Sequence, residues 1–598
     1  MNLKQKLLNL TTSNLHQKRS TKNETNPCIE IHLNRNSNKI IAEQNPYGKF
    51  IEYWLTSWRP YIALIVLGSL VFGRTIWFSY TYFDDDILIL NGYDSIKELS
   101  KIINAFQSTY LTLYYRPIVT ISLILDSQIS GLAPWMYHSS NLIFHLIVSC
   151  ITFAVLLKLH FSRITALFSS ALFTVLPITT QTVAWIPGRN DSLVALFILL
   201  SFYALLRYQS ENRKFFFIFH LVFFFLALLS KETALVFPIL CLLFLYGHFH
   251  HPLFSKQSII YFAGWLCVIF LWYVLRQPVV GNIDPAYSVL NMVSNLRVIL
   301  ELFGKMVVPI NLSAYPTFSS ISLIVGITAV VAFSFLFATN KNMRSFTTVF
   351  GLLWIIVMIL PSLGVHLADA SDRHEYLECR AYSPLFGLSL VIAGIIQPLS
   401  SKKSIGTVAL FFCAIPFYAL ITLMYSSKYQ DGITHWTHVT TMSPASADGF
   451  FNLGIVSMNN ENNPQLAIES YQKAIALNPN NYKYYDNLGI AFGQVGSLDK
   501  AELQFNKAIA LNPPDPIPYS NIGYLYFLKK NFRLAETNLK QAYAIDSNFT
   551  KVQILLVNLY YQEKNYDQVR FYADKLQKAG IVLDPQLKQL LDSVKISH

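Results

Sequence analysis

The chain has 598 residues, of which 53% are hydrophobic, 15% aromatic and only 13% charged. An ordinary soluble domain carries about 25% charged residues, so this composition excludes a simple soluble globular protein. The net charge of +12 does not indicate a nucleic-acid partner, because the Lys and Arg residues are spread over short loops between apolar segments. The six Cys residues do not show the pattern of a disulfide framework.

The N-terminal region, residues 1–59, is polar and rich in Asn and Lys, which predicts a disordered tail. The region 60–425 is dominated by apolar runs that are long enough to cross a bilayer, and it predicts a polytopic membrane domain. We predict about eleven transmembrane helices, at residues 60–80, 136–158, 163–178, 191–209, 215–229, 233–248, 257–275, 319–338, 345–361, 382–398 and 405–425.

The distribution of charge predicts the orientation of these helices. Basic residues collect in alternate predicted loops and acidic residues collect in the others, as the positive-inside rule requires. With the tail 1–59 in the cytoplasm, eleven crossings place everything after residue 425 on the outer side. We therefore predict an integral protein of a bacterial inner membrane with an extracytoplasmic C-terminal region. In a eukaryote, the corresponding membrane is that of the endoplasmic reticulum.

Two long predicted outer segments, 81–135 and 276–318, contain stretches with apolar residues at helical spacing. Such segments lie in the interface plane, and we expect them to cover an outer cavity, which a simple membrane anchor would not need. The first segment starts with three adjacent carboxylates, Asp84, Asp85 and Asp86. Because like charges repel next to an apolar boundary, we expect other groups to balance these residues or a reaction to use them.

Further polar residues lie at the predicted outer ends of helices. Ionisable groups in these positions are costly and tend to be functional, although each one alone is equally compatible with an interfacial charge or a buried helix–helix pair. Together they combine acidic with guanidinium and ammonium groups, which predicts a site that holds a phosphate and accepts a proton. The set is His138, Asn141, His145, Gln181, Arg189, Asp191, Lys231, Glu232, Asp372, Arg373, Glu375, Glu378 and Arg380.

The region after residue 425 has a different composition and an internal repeat. The stretch NLGIAFGQVGSLDKAELQFNKAIALNP at 487–513 returns at 521–547 as NIGYLYFLKKNFRLAETNLKQAYAIDS, a pattern typical of tetratricopeptide repeats. We predict a connector at 426–448, about four repeats at 449–580 and a C-terminal tail at 581–598. We expect the concave groove of the repeats to bind an extended polypeptide; the alternative is a spacer or a dimerisation module.

Several ordered motifs, together with these repeats, carry a resemblance to a known family. They read FDDDILILN, YYRPIVTISLILDSQISGLAPWMYHSSNLIFHLIVS, PITTQTVAWIPGRNDSLVALF, ALLSKETALVFP and ECRAYSPLFG. In this order they resemble the transmembrane-and-tetratricopeptide O-mannosyltransferases and the bacterial relatives of the protein O-mannosyltransferases, which have the GT-C glycosyltransferase fold. The resemblance covers about residues 60–575. It implies a multi-span enzyme that transfers a mannose-like sugar from a polyprenyl-phosphate donor to Ser or Thr of exported proteins.

The resemblance also implies roles for individual residues. Asp84 and Asp85 correspond to the catalytic acidic motif, whereas Asp86 is an additional carboxylate. The implied ligands of the donor phosphate are Arg189, Lys231 and Arg380, and the implied supporting residues are Arg116, His138, Asn141, Glu232 and Glu378. The chain departs from the family pattern at Leu176, Gln181 and Cys379, where relatives often have His, Glu and His. These departures argue against a metal at the turn that follows the third predicted helix.

The expected reaction is an inverting transfer. Asp84 or Asp85 removes the proton of an acceptor hydroxyl, which attacks the anomeric carbon of the sugar while the polyprenyl phosphate leaves. The two aspartates could instead hold a divalent metal, with one of them left as the base; no other cofactor is expected. Two further hypotheses remain open: a non-enzymatic membrane-anchored repeat scaffold, and a GT-C transferase that acts on a glycan or lipid. The expected partners are membrane lipid, the lipid-linked sugar and an exported polypeptide.

Overall fold

A computed structural model describes residues 55–581, apart from 251, 253–254, 282–288, 340–343, 365–375, 402–404, 460–461 and 512. Most of the predicted tails 1–59 and 581–598, and the site candidates Asp372, Arg373 and Glu375, lie outside the described residues. Within the described part the chain is helical, and β structure is limited to an isolated bridge between Tyr110 and Tyr114. The all-α fold class is therefore confirmed.

The longer helices follow the predicted membrane segments. They are α1 (Arg59–Phe72), α2 (Pro117–Ser130), α3 (Trp135–Lys158), α4 (Arg163–Val175), α5 (Arg189–Glu211), α6 (Lys214–Ser230), α7 (Phe237–Phe249), α8 (Lys256–Val280), α9 (Arg297–Val307), α10 (Ser320–Thr339), α11 (Phe346–Ile359), α12 (Leu385–Ser401) and α13 (Ile405–Ser426). Helices α2 and α9 belong to the predicted outer segments, and the others stand at the eleven predicted positions.

The membrane character of these helices is clear from their length and composition. In the described residues seven helical segments are long and apolar enough to cross a membrane, and the bent pair Arg163–Val175 with Pro177–Ala184 makes an eighth. Helices α6 and α12 are apolar but shorter. An integral membrane protein is therefore supported, whereas the count of eleven crossings and the orientation of the chain stay predictions.

The helices differ in burial, and the most polar one is central. In the segment Ile186–Glu211, which contains α5, 72% of the apolar window is buried, compared with 11% in α10. The first turn of α5, which carries Arg189, therefore lies in the interior. It follows a bend of 53° after α4, where Pro177 cannot donate a backbone hydrogen bond and the helix ends.

The predicted connector 426–448 is a packed element. It contains α14 (Gly432–Met442), whose first turn is capped by the Asp431 carboxylate, which accepts a hydrogen bond from the Thr434 N–H over 2.7 Å. Trp436 of α14 belongs to a buried apolar cluster that also contains Trp185 of the membrane domain. The connector is thus joined to the membrane domain by a buried core.

Four helix pairs follow the connector. They are α15 (Ala447–Asn459) with α16 (Pro464–Leu477), α17 (Tyr482–Gln494) with α18 (Leu498–Ala510), α19 (Pro516–Leu528) with α20 (Phe532–Ile545), and α21 (Thr550–Gln562) with α22 (Tyr566–Lys578). Close approach within a pair depends on small residues, because a Cβ added at Gly489 would lie 2.6 Å from the Phe505 ring. The pairs share one continuous apolar core, as stacked repeats require.

Candidate active site

The loop between α1 and α2 places Asp84 and Asp85 in different surroundings. The Asp85 carboxylate is buried, and it accepts hydrogen bonds from the Thr81 N–H (2.8 Å), the Thr81 hydroxyl (2.9 Å) and the Phe83 N–H (3.1 Å). These bonds close a turn around Asp84, whose φ of +64° lies in the left-handed region. Aspartate tolerates this strained conformation better than most residues. Asp84 lines a cavity, whereas Asp85 is bonded to its own loop.

Burial raises the pKa of both carboxyl groups. Burial is the main cause of the raised pKa of Asp84, about 6; the neighbouring Asp86 carboxylate adds to it and Arg116 opposes it. Burial raises the pKa of Asp85 to about 7, against the hydrogen bonds from Thr81. A carboxylate with a pKa near 6 is a stronger base than an ordinary aspartate and is still mainly ionised at neutral pH. Asp84 therefore combines access to the cavity with the basicity that proton removal requires.

Aromatic side chains fix the residue directly before Asp84. The Phe83 ring stacks on Trp185 with a centroid distance of 4.6 Å and an interplanar angle of 18°. The Trp185 indole N–H donates to the Phe83 carbonyl over 2.5 Å, and Tyr315 meets the Phe83 ring edge-on at 5.7 Å. Aromatic pairs of this geometry stabilise a defined arrangement, so the Asp84 loop is attached to the turn that precedes α5.

A cavity of about 280 Å³ opens beside Asp84. Its charged lining consists of three cations and three carboxylates: Arg116, Lys231, Arg380, Asp84, Asp191 and Glu232. Its aromatic lining includes Tyr110, Tyr114, Trp185, Tyr315 and Tyr376. A concave site with an apolar wall and a few convergent polar groups is typical of small-ligand binding.

Arg116 is held at the cavity wall by Glu232. The guanidinium Nη2 and Nε donate to the two carboxylate oxygens over 2.7 and 3.2 Å. The rings of Tyr110 and Tyr114 cover the guanidinium, with its Cζ 5.6 and 4.1 Å from their centroids. Burial lowers the pKa of Arg116, but the Glu232 carboxylate outweighs burial and the net shift is upward. Arg116 is therefore a permanent positive charge beside the cavity.

Lys231 and Arg380 complete the positive side of the cavity. The Lys231 Nζ donates to Asp191 Oδ1 over 2.6 Å and to Asn190 Oδ1 over 3.0 Å. Arg380 donates to the Ser362 carbonyl over 3.1 Å. In the part of the chain that the structure describes, neither Arg380 nor Asp84 has an ion-pair partner within 4.0 Å. These two opposite charges of the cavity are available to a ligand.

The structure places Arg189 outside this cavity. Its side chain is 0% exposed and pairs with Asp126, with Nη1 and Oδ2 2.7 Å apart. The remaining guanidinium donors bond to the Asn141 and Ser122 side chains and to the Tyr137 carbonyl. With each of its three guanidinium nitrogens engaged, Arg189 joins α2, α3 and α5. This geometry favours a structural role over the phosphate contact that the sequence predicts.

Glu378 also lies behind the cavity wall. Its carboxylate is 0% exposed and pairs with the Lys305 Nζ over 2.7 Å. It also accepts hydrogen bonds from the Tyr425 hydroxyl (3.0 Å) and the Ser313 N–H (3.0 Å). Glu378 therefore anchors the short helix Glu378–Ala381, which presents Arg380 to the cavity.

The three predicted residues of α3 are buried and do not line the cavity. The Asn141 amide donates to the carbonyls of Trp185 (2.9 Å) and Ile186 (3.2 Å). The His145 ring bonds to the Tyr382 hydroxyl over 2.7 Å, and His138 is 1% exposed. Asn141 thus holds the turn that carries Trp185. It supports the cavity wall indirectly and does not line the cavity itself.

Two of the three positions that depart from the family pattern, Gln181 and Cys379, contact each other. The Cys379 N–H donates to Gln181 Oε1 over 2.8 Å, and the Gln181 amide donates to the Ala314 carbonyl over 2.7 Å. No group of three or more His, Cys, Asp or Glu residues that could hold a metal occurs among the described residues. Both Asp85 oxygens accept hydrogen bonds from the loop, and a metal shared by Asp84 and Asp85 stays a prediction.

Sequence reasoning missed the aromatic lining of the cavity and the charge of Lys305. Tyr114 stands two residues before Arg116 in the motif YYRP. Its closeness in sequence to a predicted site residue could have identified it as part of the lining. Tyr110, Tyr315 and Tyr376 come from separate segments, and no local pattern marks them. Lys305 is an isolated cation in an otherwise apolar stretch of α9, which is the signature of a buried pair.

Two family models match parts of the chain. Residues 128–275 match the family described as Dolichyl-phosphate-mannose-protein mannosyltransferase. Residues 447–481, 482–515 and 518–549 each match the tetratricopeptide repeat. The first match includes α3 to α7 and Lys231, while Asp84 and Arg380 lie outside it.

Curated relatives of the chain are protein O-mannosyl-transferases of animals. Protein O-mannosyl-transferase TMTC3 of Mus musculus is 23% identical over 438 residues, which are 65% of this chain and 47% of the relative. Protein O-mannosyl-transferase tmtc2 of Xenopus laevis is 32% identical over 154 residues, 24% of this chain and 18% of the relative. The chain covers less than half the length of these relatives. The resemblance predicted from the motifs is confirmed: the chain combines a membrane domain similar to the dolichyl-phosphate-mannose-protein mannosyltransferases with tetratricopeptide repeats.

Proposed function

We propose that this chain is an integral-membrane glycosyltransferase of the GT-C type. It moves a mannose-like sugar from a polyprenyl phosphate to Ser or Thr of an exported polypeptide. The observation that carries the proposal is the position of Asp84, a carboxylate with a raised pKa on a cavity that also presents Arg116, Lys231 and Arg380. Transfer from a sugar phosphate requires both a base and groups that stabilise an anion.

In the proposed reaction, Asp84 takes the proton of the acceptor hydroxyl. The acceptor oxygen forms a bond to the anomeric carbon, and the bond between that carbon and the phosphate oxygen breaks. The electron pair of the broken bond stays on the phosphate, and the configuration at the carbon inverts. Arg380 and Lys231 offset the charge of the leaving phosphate, so no general acid is needed. Asp85 holds the loop and takes no proton.

An apolar groove supports a lipid-linked donor. The groove has a volume of about 470 Å³ and is lined by α9, α10 and α11 through residues such as Phe303, Phe333 and Ile356. Helices α10 and α11 belong to candidate membrane spans. Ile356 precedes Pro361 of the cavity by five residues, which is about 8 Å along a helix. A donor whose phosphate binds Arg380 can therefore lay its prenyl chain in this groove.

The repeats offer a groove for the polypeptide acceptor. A cavity of about 480 Å³ lies between α17, α19 and α21. Tyr524 and Leu528 of α19 are 45% and 50% exposed there, and Asn521 and Lys551 add polar groups. An extended polypeptide with apolar residues next to its Ser or Thr has the matching chemistry.

The proposed function is tested by a transfer assay with the full chain in phospholipid vesicles. The donor is a polyprenyl phosphate that carries radiolabelled mannose, and the acceptor is a Ser- and Thr-containing peptide. We expect labelled peptide from the wild type and a loss of about 10³-fold in Asp84→Asn. Asp94→Asn is the matched control, because Asp94 lies in the same outer segment but is exposed and pairs with Lys97.

The outcomes separate the proposed function from its alternatives. A wild-type chain that transfers no sugar behaves as a scaffold and contradicts the proposal. Label that appears only in a lipid or glycan fraction contradicts a polypeptide acceptor. Full transfer by Asp84→Asn contradicts the assignment of the base.

A further inference from the structure

Helix α14 of the connector contacts the loop that carries Asp84. Trp436 is fully buried, and its indole N–H donates to the Thr81 carbonyl over 3.0 Å. Just before α14, the Gln430 carbonyl accepts a hydrogen bond from the Ser79 N–H over 2.8 Å. Because Thr81 itself donates two hydrogen bonds to the Asp85 carboxylate, the Trp436 bond acts on the turn that encloses Asp84.

The Trp436 ring also contacts Phe83, the residue directly before Asp84. The two rings meet edge-on with their centroids 5.3 Å apart, while Trp185 stacks on Phe83 at 4.6 Å. One indole therefore holds both the backbone at Thr81 and the ring at Phe83. Asp84 lies beside these two positions in a left-handed conformation, and such strain persists only where the surroundings impose it.

The same helix is attached to the first repeat. Leu453 and Val456 of α15 belong to one buried apolar cluster with Trp436. A Cβ added at Gly432, the first residue of α14, would lie 2.8 Å from the Val456 side chain and 3.1 Å from Tyr82. The start of α14 therefore fits between the first repeat and the Asp84 loop without room for a side chain. Packed, buried contacts connect the repeats to the loop.

We propose that Trp436 is a positioning residue for Asp84, an inference that rests on the proposed function of Asp84 as the base. Through Trp436, the connector and the first repeat form part of the support of the transfer site. The repeat domain then has a second task besides acceptor binding, because its docking through α14 holds the base in its strained conformation. Arg116, Lys231 and Arg380 belong to other elements, so donor binding does not depend on Trp436.

The decisive variant is Trp436→Phe, which keeps an aromatic ring and removes the N–H group. The Thr81 carbonyl then loses its partner, and the turn around Asp84 gains freedom. We expect kcat for transfer to fall about tenfold, while the KM for the donor changes by less than about twofold. Amide hydrogen exchange of a peptide covering residues 79–90 should become about tenfold faster.

Trp354→Phe is the matched control. Trp354 is also buried, at 1% exposure, and its indole N–H donates to the Ser383 carbonyl over the same 3.0 Å. It does not line the cavity or the apolar groove. The control therefore loses an equivalent buried hydrogen bond elsewhere in the membrane domain, and we expect its kcat and the exchange of residues 79–90 to match the wild type.

Both readouts are measured on the full chain in vesicles with labelled polyprenyl-phosphate mannose and the acceptor peptide. A lower kcat and faster exchange in Trp436→Phe alone support the inference. Equal losses in both variants, or a change confined to KM, overturn it while the proposed transfer stands. If the wild type transfers no sugar, the proposed function fails separately. The exchange measurement then decides the role of Trp436, and unchanged exchange at 79–90 overturns it.

Discussion

The membrane domain and the repeat domain use charged side chains in different ways. In the membrane domain, the Lys305 and Glu378 side chains form an ion pair with 1% and 0% exposure. In the repeat domain, Lys529 pairs with Asp499, whose side chain is 98% exposed. A buried charge that loses its partner is costly, whereas an exposed pair contributes little. The buried pair behind the cavity is therefore expected to matter far more for stability than the exposed pair of the repeats.

The largest expected effect is on stability, and it comes from breaking one pair in each region. Lys305→Met leaves Glu378 charged and buried, so we expect the free energy of unfolding to fall by about 3–5 kcal/mol. Lys529→Met in the repeats should change it by less than about 1 kcal/mol. Thermal unfolding in detergent, followed by Trp fluorescence, measures both. Equal effects of the two substitutions would contradict the difference between the regions.

A second comparison separates two arginines of the membrane domain. Arg380 faces the cavity and, among the described residues, donates one hydrogen bond, to the Ser362 carbonyl. Arg380→Gln should therefore raise the KM for the donor by about tenfold to 100-fold. It should leave thermal stability unchanged. Arg189→Gln should instead lower thermal stability, because Asp126 then loses its buried partner. Normal stability with a raised KM in Arg189→Gln would show that the assigned roles are reversed.

The pH dependence of transfer sharpens the comparison further, because each region contains a buried aspartate with a raised pKa. The pKa of Asp84 is about 6, and burial raises that of Asp486 in the repeats to about 6, opposed by the Asn521 hydrogen bond. Only the ionised Asp84 acts as a base, so kcat/KM should fall tenfold per pH unit below about pH 6.

Asp486→Asn is the control for this profile. A carboxyl group whose folded pKa is raised contributes stability below its unfolded pKa of 3.8, and this contribution is lost as the pH rises through about 6. Asp486→Asn should therefore change how stability depends on pH. The fall of kcat/KM below about pH 6, the acid limb of the profile, should stay unchanged. If the decline of kcat/KM at low pH shifts to another pH in Asp486→Asn, the group that controls it lies in the repeat domain, which contradicts the assignment to Asp84.

The smallest effect is expected from a helix contact inside the repeats. Gly489→Ala adds a Cβ that would lie 2.6 Å from the Phe505 ring, and the overpacking should cost about 1 kcal/mol after the gain in helix propensity. Hydrogen exchange in 482–510 measures the change. Exchange in 79–90 should stay at the wild-type rate, and a faster rate there would mean that the repeats transmit even local strain to the loop.

Local patterns in the sequence were sufficient to predict the helices and the repeats. Apolar length predicts a helix such as α10, and the period of Gly454, Gly489 and Gly523 marks the helix pairs. Such signals arise within one segment, so they need no knowledge of the rest of the fold. The predicted chemistry of the cavity, acids beside guanidinium and ammonium groups, also matches its lining.

Roles that depend on tertiary contacts could not be predicted. Arg189 and Arg380 look alike as arginines near helix ends, and the difference arises because Asp126 meets one of them. Asp84 and Asp85 are neighbours in the chain, and a positive φ at the first directs their side chains into different surroundings. Neither a buried partner from another helix nor a strained backbone dihedral can be recognised from the local amino-acid sequence.

In the proposed reaction Asp84 is the base, and Asp85 only holds its loop. The most direct measurement compares sugar transfer by Asp84→Asn and Asp85→Asn in the same vesicles. We expect Asp84→Asn to lose about 10³-fold. Asp85→Asn keeps one acceptor oxygen for the turn, and it should lose about tenfold while its acid limb stays near pH 6. A larger loss in Asp85→Asn than in Asp84→Asn would contradict the account.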